Sequence, residues 1–77
     1  MKATVWSKNG CGFCSQAKAL LESKGIEYEE RNINNSNWTR DDLLTAVPTA
    51  KTLPQIFLGE EYIGGYTELR KKLTESA

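Results

Sequence analysis

Apolar positions in this chain switch between two periods. Ala3, Thr4, Val5 and Trp6 put β-branched and aromatic bulk on both faces, the pattern of a strand over residues 2–7 that is covered on each side. Ser7-Lys8-Asn9-Gly10 is polar and reads as a loop. Beyond it Phe13, Ala17, Leu20 and Leu21 recur at i, i+4, i+7 and i+8, one stripe of a helix, while Lys18, Glu22 and Lys24 fall off the stripe. The amphipathic run Ser15–Lys24 ends at Gly25, a residue suited to the left-handed position after a helix. Residues 26–33 alternate again, with Ile26 and Tyr28 on one face and Glu27 and Glu29 on the other. A helix between two strands favours a right-handed crossover, so these strands are expected to be parallel.

The polar loop from Asn32 to Asn37 leads to Thr39, which can cap a helix over Arg40–Val47 with Asp41 and Asp42 in its first turn. Leu43, Leu44 and Val47 are expected to face inward with Trp38 behind them, and Pro48 stops the helix. Gln55-Ile56-Phe57-Leu58 is the strongest strand signal. Gly59-Glu60 turns the chain into Glu61-Tyr62-Ile63, an antiparallel hairpin. Gly64-Gly65 breaks the alternation, and Thr67 is expected to cap a last helix to about Glu75, with Leu69 and Leu73 inward. The predicted order is βαβαββα, an α/β fold.

Length and charge narrow this picture. The 77 residues suit one domain over 1–77 with a small core, and no repeat or composition shift marks a linker. Ten Lys and Arg balance ten Asp and Glu, which argues against a general nucleic-acid or anionic-membrane surface. No apolar run approaches the roughly 18 residues that span a bilayer. The first residues have no long apolar core, so no signal peptide is expected and the protein is expected to be cytoplasmic.

The candidate chemistry lies in Cys11-Gly12-Phe13-Cys14, which holds both cysteines of the chain where a strand hands over to a helix. At i and i+3 of a first helical turn two Cα atoms lie on the order of 5 Å apart, within reach of a disulfide. Cys11 falls at the helix N-terminus, where free N–H groups and the macrodipole favour a thiolate. A static disulfide would close too small a loop to staple much. A structural zinc needs four ligands, and the chain has no His and no further Cys, so only a dimer could complete such a site. Redox exchange is therefore the favoured reading, with Cys11 the nucleophile and Cys14 its resolving partner.

Three motifs together resemble the glutaredoxins of the thioredoxin fold: the CxxC after a first strand, Thr52-Leu53-Pro54-Gln55-Ile56-Phe57, and Ile63-Gly64-Gly65. The likeness spans nearly the whole chain in order and spacing. It implies a thioredoxin-like, four-stranded mixed sheet flanked by three helices, with a cis Pro54 facing the CxxC. It implies a thiol–disulfide oxidoreductase that reduces protein disulfides and glutathione mixed disulfides with glutathione as reductant. The implied glutathione site comprises Lys8, Phe13, Leu53, Pro54, Gly65, Tyr66 and Thr67, with Lys8 at the glycyl carboxylate. Phe13 competes between flanking the tripeptide and joining the core. Gly12-Phe13 stands where many dithiol members have Pro-Tyr, and Tyr66-Thr67 where Cys or Ser and then Asp are frequent. The small bacterial and phage proteins of this type imply ribonucleotide reductase as a protein partner and a monomer as the working state. Two alternatives accompany this reading: a dimeric carrier of a [2Fe–2S] cluster held by Cys11 and external glutathione, as in a branch that has Ser rather than Cys at the second position, and a redoxin reduced by thioredoxin reductase.

Overall fold

The computed structural model describes residues 2–35 and 37–75. Its elements follow the predicted order: β1 (Lys2–Ser7), α1 (Gly12–Ser23), β2 (Glu27–Asn32), α2 (Arg40–Ala46), β3 (Gln55–Leu58), β4 (Glu61–Gly64) and α3 (Tyr66–Glu75). The four strands form one mixed sheet in the order β2-β1-β3-β4. β1 and β2 run parallel, while β3 is antiparallel to both β1 and β4. This is the thioredoxin-like arrangement expected from the sequence.

Strand alternation divides the core between the two faces of the sheet. Ala3, Val5, Ile56 and Leu58 meet Ala17 and Leu21 of α1 and Leu69 of α3 on one face. Trp6 faces the other way and is buried with Leu43 and Val47, with Phe57, Trp38 and Leu53 packed around them. Both faces of β1 are thus covered, which is why its sequence is apolar at successive positions. Leu73 packs against the first cluster as expected.

Local sequence explains the ends of the helices. After α1, Ile26 N–H donates to the Leu21 carbonyl and Gly25 N–H to the Glu22 carbonyl, each at 3.0 Å, with Gly25 at φ 70°. This paired closure needs a left-handed residue at Gly25, which a Cβ would oppose. At α2, Thr39 Oγ1 accepts from Asp42 N–H at 3.2 Å, and Thr39 N–H donates to Asp42 Oδ2 at 2.9 Å. That reciprocal pair satisfies two donors that the helix itself leaves unpaired.

Four expectations are corrected. The inward stripe of α1 is Cys14, Ala17 and Leu21, while Phe13 is 59% exposed. Cys11 is the N-cap as expected, and in the first turn it is Cys14 that faces the sheet while Phe13 points out. Leu44 is exposed, because a two-turn helix on this face presents only Leu43 and the following Val47 to the sheet. The second strand is shorter than residues 26–33, since the closure of α1 takes up Ile26. Thr67 does not cap α3. It is the second helical residue, and the helix opens on Gly65, whose carbonyl accepts the Leu69 N–H at 3.0 Å.

Candidate active site

β1, an inner strand, carries the chain to one end of the sheet, and the polar loop after it sets Cys11 as the N-cap of α1, with extended φ −98° and ψ 105°. Cys11 and Cys14 form a disulfide with their Cα atoms 5.2 Å apart. Cys11 Sγ also accepts the Cys14 backbone N–H at 3.1 Å. An N–H and a helix N-terminus aimed at one sulfur favour its anionic form over the neutral thiol once the disulfide is reduced. The two sulfurs differ in access: Cys14 is only 2% exposed, while Cys11 is half-buried.

Distant segments complete the surroundings of Cys11. The Leu53–Pro54 peptide is cis, and the Leu53 carbonyl oxygen lies 3.8 Å from Cys11 Sγ. Pro54 is buried. Gly65 closes in behind it: a Cβ there would stand 3.5 Å from the Pro54 carbonyl and 3.2 Å from the Glu68 carboxylate. Phe13 stacks on Tyr66 with ring centroids 5.9 Å apart and planes 28° off parallel. The structure therefore gathers Phe13, Leu53, Pro54, Gly65 and Tyr66 around the disulfide. Thr67 is exposed on the first turn of α3.

Two clefts share Lys8 in their lining, and Cys11 lines the second. One, of about 290 Å³, lies between Leu43 and Leu53 and brings Arg40 and Lys51 to the same space as Lys8. The other, of about 440 Å³, is lined by Cys11, Cys14, Lys18 and Glu30. In it Glu30 Oε2 accepts from the buried Ser7 hydroxyl at 2.7 Å and from Lys18 Nζ at 2.9 Å. The Ser7 hydrogen bond, and after it that of Lys18, hold the Glu30 carboxyl below its usual 4.5.

That direction gives a prediction. A carboxyl held low in the folded state contributes stability that is fully present above 4.5 and lost as pH falls through its lower folded value. Urea midpoints measured from pH 6 downwards are expected to decline less steeply for Glu30→Gln than for the parent. Equal slopes would show that this network does not distinguish the two protonation states.

Arg40, Lys51, Lys18, Glu30 and Glu68 were not singled out from the sequence. Glu68 alone had a readable signal, an acid three residues after a helix-opening glycine; it accepts the Gly65 N–H at 2.8 Å. The others reach the site only through the fold. Among the described residues no three Cys, His, Asp or Glu side chains converge as metal ligands, so one chain alone supplies no complete donor set.

Residues 3–63 match the family model for glutaredoxin. The chain belongs to the glutaredoxin family. It is 32% identical over 82 residues to glutaredoxin 1 of Escherichia coli strain K12, covering 99% of this chain and 96% of that protein. Among solved glutaredoxins, the reduced protein of Escherichia coli superposes with a TM-score of 0.81 at 31% identity, covering 97% of this chain and 95% of the other. A buckwheat glutaredoxin solved in complex with glutathione superposes with a TM-score of 0.80 at 28% identity, over 96% of this chain and 69% of that one.

As a glutaredoxin with this Cys-x-x-Cys pair, the protein is a thiol–disulfide oxidoreductase. In the dithiol form one thiolate of the pair attacks one sulfur of a substrate disulfide, and a mixed disulfide forms as the other sulfur departs. The second thiolate of the pair then attacks the sulfur held in the mixed disulfide, releases the substrate thiol and leaves the Cys11–Cys14 disulfide. The chain contains no His, so the helix N-terminus and the Cys14 N–H do the work that an imidazole does elsewhere. Among the described residues no helix is long and apolar enough to cross a membrane.

Proposed function

We propose that the protein is a glutathione-dependent glutaredoxin, reducing protein disulfides and glutathione mixed disulfides in the cytoplasm as a one-domain monomer over residues 1–77. The observation that carries this reading is the cleft where Lys8, Arg40 and Lys51 converge beside Leu53. Glutathione has a carboxylate at each end and a thiol between them. A ligand whose sulfur reaches Cys11 and whose backbone lies along Leu53 extends its glycyl carboxylate toward those three cations. Lys8, which also borders Cys11, further favours the thiolate form of that sulfur.

At the other end, the N–H groups of the first turn of α3 suit the second carboxylate, with the Thr67 hydroxyl beside them. The Glu68 carboxylate, held over Gly64 and Gly65, suits the neighbouring α-amino group. The Phe13–Tyr66 pair offers an apolar wall along the ligand. In this reading Lys8, Phe13, Leu53, Pro54, Gly65, Tyr66 and Thr67 form the glutathione site, joined by Arg40 and Lys51. A protein disulfide such as that of ribonucleotide reductase is the physiological class of substrate.

One coupled assay with NADPH tests the electron source. It is run with glutathione and glutathione reductase, and again with thioredoxin reductase alone. Turnover is expected in the first arm only. Turnover confined to the second arm would assign the protein to the redoxins and remove the glutathione role of these residues.

A further inference from the structure

We propose that Lys18 is the electrostatic partner of the Cys14 thiolate, with Glu30 and Ser7 acting as its positioning residues. The proposal rests on thiol–disulfide exchange itself and does not depend on which molecule supplies the electrons.

Cys14 has a difficulty that Cys11 does not. It is 2% exposed, and burial disfavours a charged sulfur. Yet exchange needs Cys14 as a thiolate in both directions. To resolve a mixed disulfide, the Cys14 proton passes to water in the cleft and Cys14 S⁻ attacks Cys11 Sγ. The Cys11–substrate S–S bond breaks, and the substrate sulfur leaves with the electron pair and takes up a proton from solvent. In the reverse direction an incoming thiolate attacks Cys11 Sγ, and Cys14 is expelled as the anion. The Cys14 N–H that could have helped is directed at Cys11.

Lys18 lies four residues after Cys14 on α1, one turn along the same face. An exposed lysine would spread its charge through solvent, but this ammonium is bound to Glu30 Oε2 at 2.9 Å. The same oxygen is anchored at 2.7 Å to the hydroxyl of Ser7, which is fully buried at the end of β1. The tether fixes the ammonium beside Glu30, in the cleft that Cys14 also lines. Cys14, Lys18 and Glu30 all line one cleft. The remaining charge in that cleft is Lys8 on the loop after β1. From α3 the nearest acid of the first turn, Glu68, is taken up by the Gly65 N–H.

The test uses the full-length protein labelled with 13C at the cysteine Cβ atoms. Both thiols are titrated by NMR in the reduced parent, in Lys18→Met and in Lys18→Arg. Lys18→Met keeps the apolar stem and removes the charge, whereas Lys18→Arg keeps the charge and guards against a purely structural effect. An opposite charge near a thiol lowers its midpoint, so Lys18→Met is expected to raise that of Cys14 by about one pH unit. Lys18→Arg is expected to restore most of the difference, and Cys11 to move less than Cys14.

A second readout is turnover of a protein disulfide with dithiothreitol as reductant. Lys18→Met is expected to lower kcat about tenfold at neutral pH, because a midpoint higher by that amount leaves about a tenth of the Cys14 thiolate. In a Cys14→Ser background, where no second thiol acts, the same substitution is expected to leave reduction of a mixed disulfide unchanged. An unmoved Cys14 midpoint in Lys18→Met, or equal losses with and without Cys14, would overturn the proposal. Neither the titration nor the dithiothreitol assay involves glutathione, so a failure of the glutathione reading is seen separately.

Discussion

Cys11→Ser is expected to abolish exchange with every disulfide substrate, whereas Cys14→Ser is expected to abolish only the two-thiol route. The difference follows from the positions of the two sulfurs. Cys11 is the half-buried N-cap, and its Sγ receives the Cys14 N–H at 3.1 Å. A Ser hydroxyl there cannot form the mixed disulfide, and nothing else in the chain can replace it, because Cys14 is 2% exposed. Removing Cys14 leaves the attacking sulfur in place. Reduction of a glutathione mixed disulfide needs only that sulfur, since a second glutathione can complete the cycle. The measurement is turnover of a protein disulfide and of a glutathione mixed disulfide for both variants. In parallel, alkylation below neutral pH should label Cys11 ahead of Cys14. Preferential labelling of Cys14, or loss of both activities in Cys14→Ser, would reverse the assignment.

Leu21→Ala is expected to cost about 2–5 kcal/mol of stability, the range for emptying a fully buried leucine site. Leu21 is fully buried where α1 meets the sheet and α3, in the cluster with Val5, Ile56 and Leu69. A domain of this size has roughly 5–15 kcal/mol in total, so this one substitution removes a large share. Phe13→Ala provides the contrast. Phe13 is 59% exposed, so truncating it should shift the unfolding midpoint little while affecting the Phe13–Tyr66 stack beside the disulfide. Urea unfolding of the two variants against the parent checks both. A loss at Phe13 as large as at Leu21 would mean that the active-end aromatics belong to the core.

Where the sequence reading erred, the cause is helix phase. Of the stripe Phe13, Ala17, Leu20 and Leu21, the last three pack into the core as expected, but in the first turn Cys14 takes the inward position and Phe13 is exposed. Both Phe13 and Cys14 fit a 3.6-residue period with Ala17 and Leu21, and the choice between them depends on how the first turn meets the sheet. Leu44 failed for a similar reason: α2 is too short to bury a wide apolar face. At α3 the hydroxyl of Thr67 was a plausible cap. The helix instead starts one residue before it, at Tyr66, with the Gly65 carbonyl accepting the first helical bond, where Gly64 at φ 118° turns the chain and Glu68 reaches back.

Whatever depends on neighbouring residues was legible in the chain itself. The alternation of β1, the hairpin of β3 and β4, the glycine closure of α1 and the Thr39 cap are set by interactions within a few positions. The redox pair is of this kind too, because a spacing of three on a helical turn is enough to bring two sulfurs together. The resemblance to a family added the cis Leu53–Pro54 peptide, which no local pattern implied, and the structure has it. Tertiary structure alone decided which residues stand beside the sulfurs. Arg40 and Lys51 meet Lys8 only across a cleft, and Lys18 joins Glu30 only because β2 runs parallel to β1. Exposed charges carry no periodic signal, since water satisfies them at any position, and only the packed fold gives them a partner.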